Sequence, residues 1–133
     1  MRYLLDTHVW LWSHEAHEKF GRKTQRILTS RDDERVVSAI STFEIARLMA
    51  RGRLLLRQPF ASWKTQSLHD LVATTIDVTH EMAWEAYHLP GVFHKDPADR
   101  ILVATARLHN LTLLTADDAI LRYAHVKSIS ARR

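Results

Sequence analysis

Short apolar runs recur along the chain, and each has the composition of a buried β-strand. Longer stretches with amphipathic, helix-like spacing lie between them. The predicted strands are residues 2–6, 35–40, 73–78 and 111–115, with a further short strand at 126–130. The predicted helices are residues 17–29, 42–51, 60–72, 79–89, 97–110 and 117–123, and the chain is also expected to enter a helix directly after Asp6.

Strands that alternate with helices predict an α/β fold, in which a mainly parallel sheet is covered by helices on both faces. The 133 residues match the usual size of one domain, and no repeat, low-complexity tract or linker divides them. A hydrophobic content of 46% and a charged content of 26% are ordinary for a globular protein. We therefore expect one domain that covers residues 1–133.

The composition excludes several classes of protein. The absence of cysteine rules out disulfides, thiolate metal sites and a cysteine nucleophile. No apolar run approaches the roughly 20 residues needed to cross a bilayer, so we expect a cytoplasmic protein without a membrane partner. The formal net charge of +4 suits a polyanionic partner without demonstrating one.

Acidic residues stand where predicted strands end and helices begin. Asp6 ends the first strand, Asp96 and Asp99 open the helix 97–110, and Asp117 follows the fourth strand. The carboxyl ends of strands in an open parallel sheet meet in one crevice, which is where such proteins bind ligands. These acids are therefore expected to converge.

Each acid also has a purely structural explanation as part of a helix cap. Asp6 and Asp96 fit the N-cap position, and either Thr115 or Asp117 fits the cap of the last helix. Ser41 and Glu44 match a capping box, in which the serine caps a helix and the glutamate binds back to its amide. Only the ordered set of acids therefore points to a functional site.

Several carboxylates in one crevice repel one another, so the arrangement makes physical sense mainly when a divalent cation neutralises it. Oxygen ligands favour Mg²⁺ or Mn²⁺ over zinc. The nine histidines form no close ligand pair on a helix, although His8 and His94 lie near the predicted site. Arg100, next to Asp99, is placed to hold a phosphate or to pair with an acid.

Four separated segments resemble the VapC-type toxins of the PIN-domain ribonuclease family. They are LLDTHVW at residues 4–10, SAISTFEI at 38–45, DPADRILVATA at 96–106 and LLTAD at 113–117. Each segment is short, but their order and spacing extend over nearly the whole chain. The resemblance implies a PIN-like three-layer α/β/α fold and an Mg²⁺-dependent endoribonuclease, with Mn²⁺ as a possible substitute, that acts as the toxin of a toxin–antitoxin module. It also implies a homodimer and a cognate antitoxin that blocks the site.

The resemblance further assigns residues to the site. The acidic quartet is Asp6, Glu44, Asp99 and Asp117, with Asp96, Thr115 and Arg100 in support. In the resulting hypothesis Asp6, Asp99 and Asp117 hold the metal, while Glu44 orients the attacking water. The adjacent Asp118 is an alternative to Asp117 as the fourth acid.

Two other functions fit parts of the sequence. One is a non-catalytic RNA-binding or regulatory PIN-like domain, which the presence of all four acids disfavours. The other is a haloacid-dehalogenase-like phosphatase, whose nucleophilic aspartate also follows a strand. That family has a second aspartate two residues later, where this chain has His8.

Overall fold

The computed structural model describes residues 1–132 and contains a five-stranded parallel sheet. The strands are β1 (Arg2–Leu5), β2 (Glu34–Ser38), β3 (Thr74–Ile76), β4 (Thr112–Thr115) and β5 (Ser128–Ser130). Their order across the sheet is β3-β2-β1-β4-β5, and every neighbouring pair is parallel. The predicted α/β class with a mainly parallel sheet is therefore confirmed, including the short last strand.

Within residues 1–132, seven α-helices connect or flank these strands. They are α1 (Thr7–Glu15), α2 (Arg22–Thr29), α3 (Ala39–Ala50), α4 (Phe60–Leu71), α5 (His80–Glu85), α6 (Pro97–His109) and α7 (Asp118–Arg122). The helix predicted at 17–29 is wrong in its first part, which forms a short 3-10 helix (His17–Lys19). Gly21 then caps α2, which begins at Arg22. The prediction for 79–89 was too long, since α5 ends at Glu85. Within residues 1–132, no helix has both the length and the apolar composition to cross a bilayer.

Two hydrophobic layers cover the sheet, because successive side chains of a strand point to opposite faces. In β1, Tyr3 and Leu5 pack into one layer with residues of α1, α2 and α4. Leu4 packs into the other layer with residues of α6 and α7. The result is the three-layer α/β/α arrangement that the alternating strands and helices predicted.

The order of the strands creates a crevice between β1 and β4. From β1 the chain builds the sheet outward through β2 and β3, whereas β4 and β5 lie on the other side of β1. Leu5 and Leu114 are paired in register, so the two strands end side by side. This reversal of strand order is the position at which open parallel sheets form ligand sites.

Candidate metal centre

Helix starts place the predicted acids around this crevice. Asp6 is the N-cap of α1, Asp96 is the N-cap of α6, and Asp117 is the N-cap of α7. Asp99 lies in the first turn of α6, and Glu44 lies within α3. The caps predicted from sequence at positions 6, 96 and 117 are therefore confirmed.

Thr115 connects Asp6 to Asp117. The Thr115 hydroxyl donates to Asp6 Oδ2 at 2.6 Å, and the Asp117 amide donates to Thr115 Oγ1 at 2.9 Å. Asp6 Oδ1 accepts from the Thr7 amide at 2.7 Å. These bonds fix the Asp6 carboxylate at the point where β1 and β4 end. Thr115 therefore positions Asp6.

The start of α6 brings a histidine against Asp99. Asp96 Oδ1 accepts from the Asp99 amide at 3.0 Å, so that the cap orients the first turn. His94 Nε2 lies 3.0 Å from Asp99 Oδ2, but the two atoms are not aligned as a hydrogen bond. His94 is thus a neighbour of the acid cluster, in keeping with its predicted place near the site.

The capping box predicted for Ser41 and Glu44 is wrong. The helix α3 begins at Ala39 and is capped by Ser38, whose hydroxyl accepts from the Ile40 amide at 3.1 Å. Ser41 lies in the first turn and accepts a hydrogen bond from the Thr7 hydroxyl at 2.9 Å. Glu44 instead lies with Asp96 and Asp99 in one group of potential ligands, and its Oε1 is buried without a hydrogen-bond partner among residues 1–132.

Asp99 lies at the centre of two groups of potential ligands. In one group His94, Asp99 and Asp117 each offer a ligand atom within 4.8 Å of the others. In the second, Glu44, Asp96 and Asp99 do the same. Asp6 belongs to neither group, but the hydrogen bonds of Thr115 tie it to Asp117.

The neighbouring acids raise one another's pKa values. Burial, together with the charges of the four neighbouring acids, raises the pKa of Asp99 to about 8. Burial also raises the pKa of Glu44, and Asp6 and Asp96 act in the same direction. The pKa of Asp6 is raised by burial against the opposing hydrogen bond from Thr115. Both Asp6 and Asp99 are more than nine-tenths buried, so water screens this repulsion poorly.

The donor set fits a hard divalent cation. Carboxylate oxygens predominate, one buried carboxylate oxygen has no partner, and the acids repel one another when they are ionised. A divalent ion bound among these acids would relieve the repulsion. A cluster of acidic residues that can bind a metal is therefore present, while the individual ligand roles remain predictions.

Arg100 supports the site through the backbone. Its guanidinium donates to the carbonyl oxygens of Ala86, Phe93 and His94 at 2.9 to 3.0 Å. No carboxylate of residues 1–132 forms an ion pair with it, so the predicted alternative of pairing with an acid is not observed. The guanidinium instead holds the segment that carries His94 against α6.

Sequence reasoning missed the pair formed by Thr7 and Ser41. Both residues are fully buried, and their hydroxyl contact joins the start of α1 to the start of α3 below the acids. The position of Thr7 directly after Asp6 could have indicated that it lies near the site. Ser41 fitted the pattern of a helix cap, so nothing in the sequence indicated its contact with Thr7. Asp118, the alternative fourth acid, is exposed and belongs to neither group of ligands, whereas Asp117 does.

Comparison with known sequences identifies relatives over most of the chain. The family model described as PIN domain matches residues 3–126. The protein named Ribonuclease VapC22 from Mycobacterium tuberculosis is 36% identical over 128 residues, covering 96% of this chain and 95% of that protein.

Comparison with solved structures finds the same fold at low identity. VapBC2 from Rickettsia felis, bound to a DNA fragment from its promoter, aligns with a TM-score of 0.65 at 16% identity, over 98% of each chain. DNA-bound VapBC from Salmonella typhimurium gives 0.66 at 15% identity, also over 98% of each chain. A toxin–antitoxin complex from Klebsiella pneumoniae gives 0.63 at 17% identity, over 96% of this chain and 95% of that one.

Proposed function

Because the chain belongs to the PIN-domain family, we propose that it is an Mg²⁺-dependent endoribonuclease, the toxin of a VapBC-type toxin–antitoxin module. The observation that carries the proposal is the convergence of four other carboxylates around Asp99, with a buried Glu44 oxygen that has no partner in residues 1–132. Structural caps alone do not require this convergence. We expect the protein to act in the cytoplasm, where its RNA substrate is found.

In this proposal each acid has a separate role. Asp6, Asp99 and Asp117 hold the ion directly or through water, with Mn²⁺ as a possible substitute for Mg²⁺. When bound, a divalent ion would supply activation of water and neutralisation of the charge that develops on the phosphoryl group. Glu44 orients the attacking water, because its Oε1 makes no other hydrogen bond with residues 1–132.

The supporting residues keep this arrangement in place. Asp96 orients the turn that carries Asp99, and Thr115 orients Asp6. Arg100 fixes the segment that carries His94. Phosphate contact by Arg100 requires it to release at least one of its backbone carbonyls, so we expect its contribution to be structural first.

An antitoxin partner and a homodimer complete the proposal. The solved neighbours include toxin–antitoxin complexes. Phe43, Met49 and Leu55 on α3 and the segment after it are exposed apolar side chains, available to a protein partner. Co-expression with the neighbouring small gene product and affinity capture tests the antitoxin, and sedimentation of the purified toxin tests the dimer.

Replacement of Asp6 by Asn separates a metal ligand from a helix cap. Asparagine caps a helix about as well as aspartate but binds a hard cation weakly. We expect Asp6→Asn to remain folded and to lose Mg²⁺-dependent cleavage of a mixed tRNA and rRNA pool by at least about 100-fold. Retained cleavage that EDTA does not inhibit would rule out the metal mechanism. Metal-independent RNA binding without cleavage in the wild type would instead favour the non-catalytic RNA-binding alternative.

A further inference from the structure

A groove opens from the acid cluster toward α1 and the end of the described chain. It encloses about 260 Å³. Its lining residues are Asp6, His8, Trp12, Ala116, Asp117 and Arg132. Asp6 and Asp117 form the wall that the groove shares with the proposed cation site. The opposite wall, which carries aromatic and basic groups, has no role in the mechanism proposed above.

The helix α1 divides its aromatic residues between the core and this groove. Trp10 is buried in the core, where its indole nitrogen donates to Ser67. His8 and Trp12 are four residues apart and therefore share a face of the helix. Their ring centroids lie 6.1 Å apart, and the half-buried Trp12 ring reaches the groove.

Two cations flank the Trp12 ring. Lys19 Nζ lies 5.0 Å from the ring centroid, and the guanidinium carbon of Arg132 lies 5.2 Å from it. Within residues 1–132, neither cation forms an ion pair with a carboxylate. Both side chains are exposed and long enough to turn from the ring to a bound anion.

We propose that this groove is a nucleotide subsite, in which an RNA base stacks on the Trp12 indole and Lys19 and Arg132 hold the adjacent phosphate. The proposal rests on the ribonuclease function proposed above, because the shared wall puts the subsite beside the phosphate that is cleaved. A flat aromatic surface next to unpaired cations is the combination that binds single-stranded nucleic acid with little sequence preference. A peptide segment needs neither a stacking surface nor two phosphate-binding cations.

Binding of single-stranded RNA by Trp12 variants tests the stacking contact. Anisotropy of fluorescein-labelled hexauridylate and hexaadenylate, measured in EDTA to prevent cleavage, gives Kd for the wild type, Trp12→Leu and Trp12→Phe. Trp12→Leu is expected to weaken binding at least about fivefold, since loss of one base stack has roughly this minimum effect. Trp12→Phe keeps a ring and should retain most of the affinity. Trp84→Leu is the matched control, because Trp84 is 69% exposed on α5 and lies outside the groove.

The salt dependence of binding tests the phosphate contacts. The double variant Lys19→Gln/Arg132→Gln is expected to reduce the slope of log affinity against log salt by about 0.7, since neutralisation of one phosphate on a single strand contributes roughly this amount. The matched control Arg22→Gln/Lys23→Gln removes two exposed cations of α2 and should leave the slope unchanged.

The proposal is overturned if folded Trp12→Leu binds both RNAs like the wild type. An unchanged salt slope in the Lys19 and Arg132 variant overturns it equally, including when Trp12→Leu fails to fold. Weaker antitoxin binding with unchanged RNA binding makes the groove a protein-docking surface and also contradicts the proposal. Trp12-dependent RNA binding by a wild type that cleaves no RNA leaves the subsite standing and refutes the ribonuclease function. Active cleavage with KM unaffected by Trp12→Leu refutes the subsite alone.

Discussion

Two regions of the molecule bury an ionisable side chain. In one region the protein compensates its charge with hydrogen bonds, and in the other it surrounds the side chain with like charges. Arg35 on β2 is 5% exposed, and its guanidinium donates to the carbonyl oxygens of Leu71, Ile27 and Ser30 at 2.5 to 2.9 Å. Asp99 is 9% exposed, but four other acids surround it and raise its pKa. Burial is similar in the two regions, whereas compensation by the protein differs.

This difference distinguishes a buried side chain that stabilises the fold from one that belongs to a candidate binding site. A buried charge costs free energy unless hydrogen bonds or an opposite charge compensate it. The carbonyls around Arg35 provide that compensation within the chain and tie β2 to the ends of α2 and α4. Asp6, Asp96 and Asp117 do accept hydrogen bonds. In residues 1–132, however, no lysine or arginine forms an ion pair with the acid cluster, and Glu44 Oε1 has no partner, as expected of a site that binds an external cation.

The largest change in stability is expected at Arg35. Arg35→Met keeps much of the side-chain volume but leaves three carbonyls without their donor, so the free energy of unfolding should fall by about 3 kcal/mol. Arg2→Met is the matched control, since Arg2 forms an exposed ion pair with Glu34 and should cost less than about 1 kcal/mol. Urea unfolding of both variants measures the difference, and equal losses would contradict the role assigned to Arg35.

Substitution of Asp99 is expected to raise the free energy of unfolding, whereas substitution of Arg35 lowers it. The pKa of Asp99 is about 8 in the folded metal-free protein, above its ordinary value of 3.8. The folded state therefore binds more protons than the unfolded state between about pH 4 and pH 8, and the free energy of unfolding falls as pH rises through this range. Asp99→Asn removes this contribution.

Thermal melting in EDTA checks this prediction. At pH 8 Asp99→Asn should melt at least about 4 °C above the wild type, with a smaller difference at pH 5. Part of the pH dependence persists in the variant, because Asp6 and Glu44 also have raised pKa values. The exposed Asp32→Asn serves as the control and should leave Tm unchanged. A variant that melts below the wild type at pH 8 would show that the Asp99 carboxylate stabilises the fold.

The smallest effect, here on RNA cleavage, is expected from substitution of Asp118. This residue is exposed in the first turn of α7, so Asp118→Asn should change Mg²⁺-dependent cleavage by less than about twofold, with only a small loss of helix-dipole stabilisation. Asp117→Asn retains the cap and should lower cleavage at least about tenfold. Initial rates on one labelled RNA compare the two. A larger loss at Asp118 than at Asp117 would reverse the assignment of the fourth acid.

Local sequence signals predicted much of the fold and part of the candidate site. Asp6, Asp96 and Asp117 occupy helix caps at strand ends or loops, and both the cap and its place in the sheet could be predicted from neighbouring residues. The break before Gly21 could not be predicted. The amphipathic spacing continues through residues 17–29, whereas the structure divides them into a 3-10 helix and α2.

Glu44 shows where local signals fail. The motif from Ser41 to Glu44 fits a capping box, but Ser38 begins the helix three residues earlier and the two motifs differ only in register. The groove beside Trp12 depends on tertiary structure in the same way, since Arg132 follows β5 and reaches Trp12 from the far end of the sequence. Contacts between distant segments leave no local pattern to interpret.

A crystal grown with Mn²⁺ and recorded at the manganese absorption edge tests the metal centre most directly. The account predicts an anomalous peak in the crevice between β1 and β4, in contact with the Asp99 carboxylate and beside Asp6 and Asp117. The same peak should be absent or much weaker in crystals of Asp99→Asn. A wild-type crystal with Mn²⁺ bound elsewhere, and with no peak among these acids, would contradict the account.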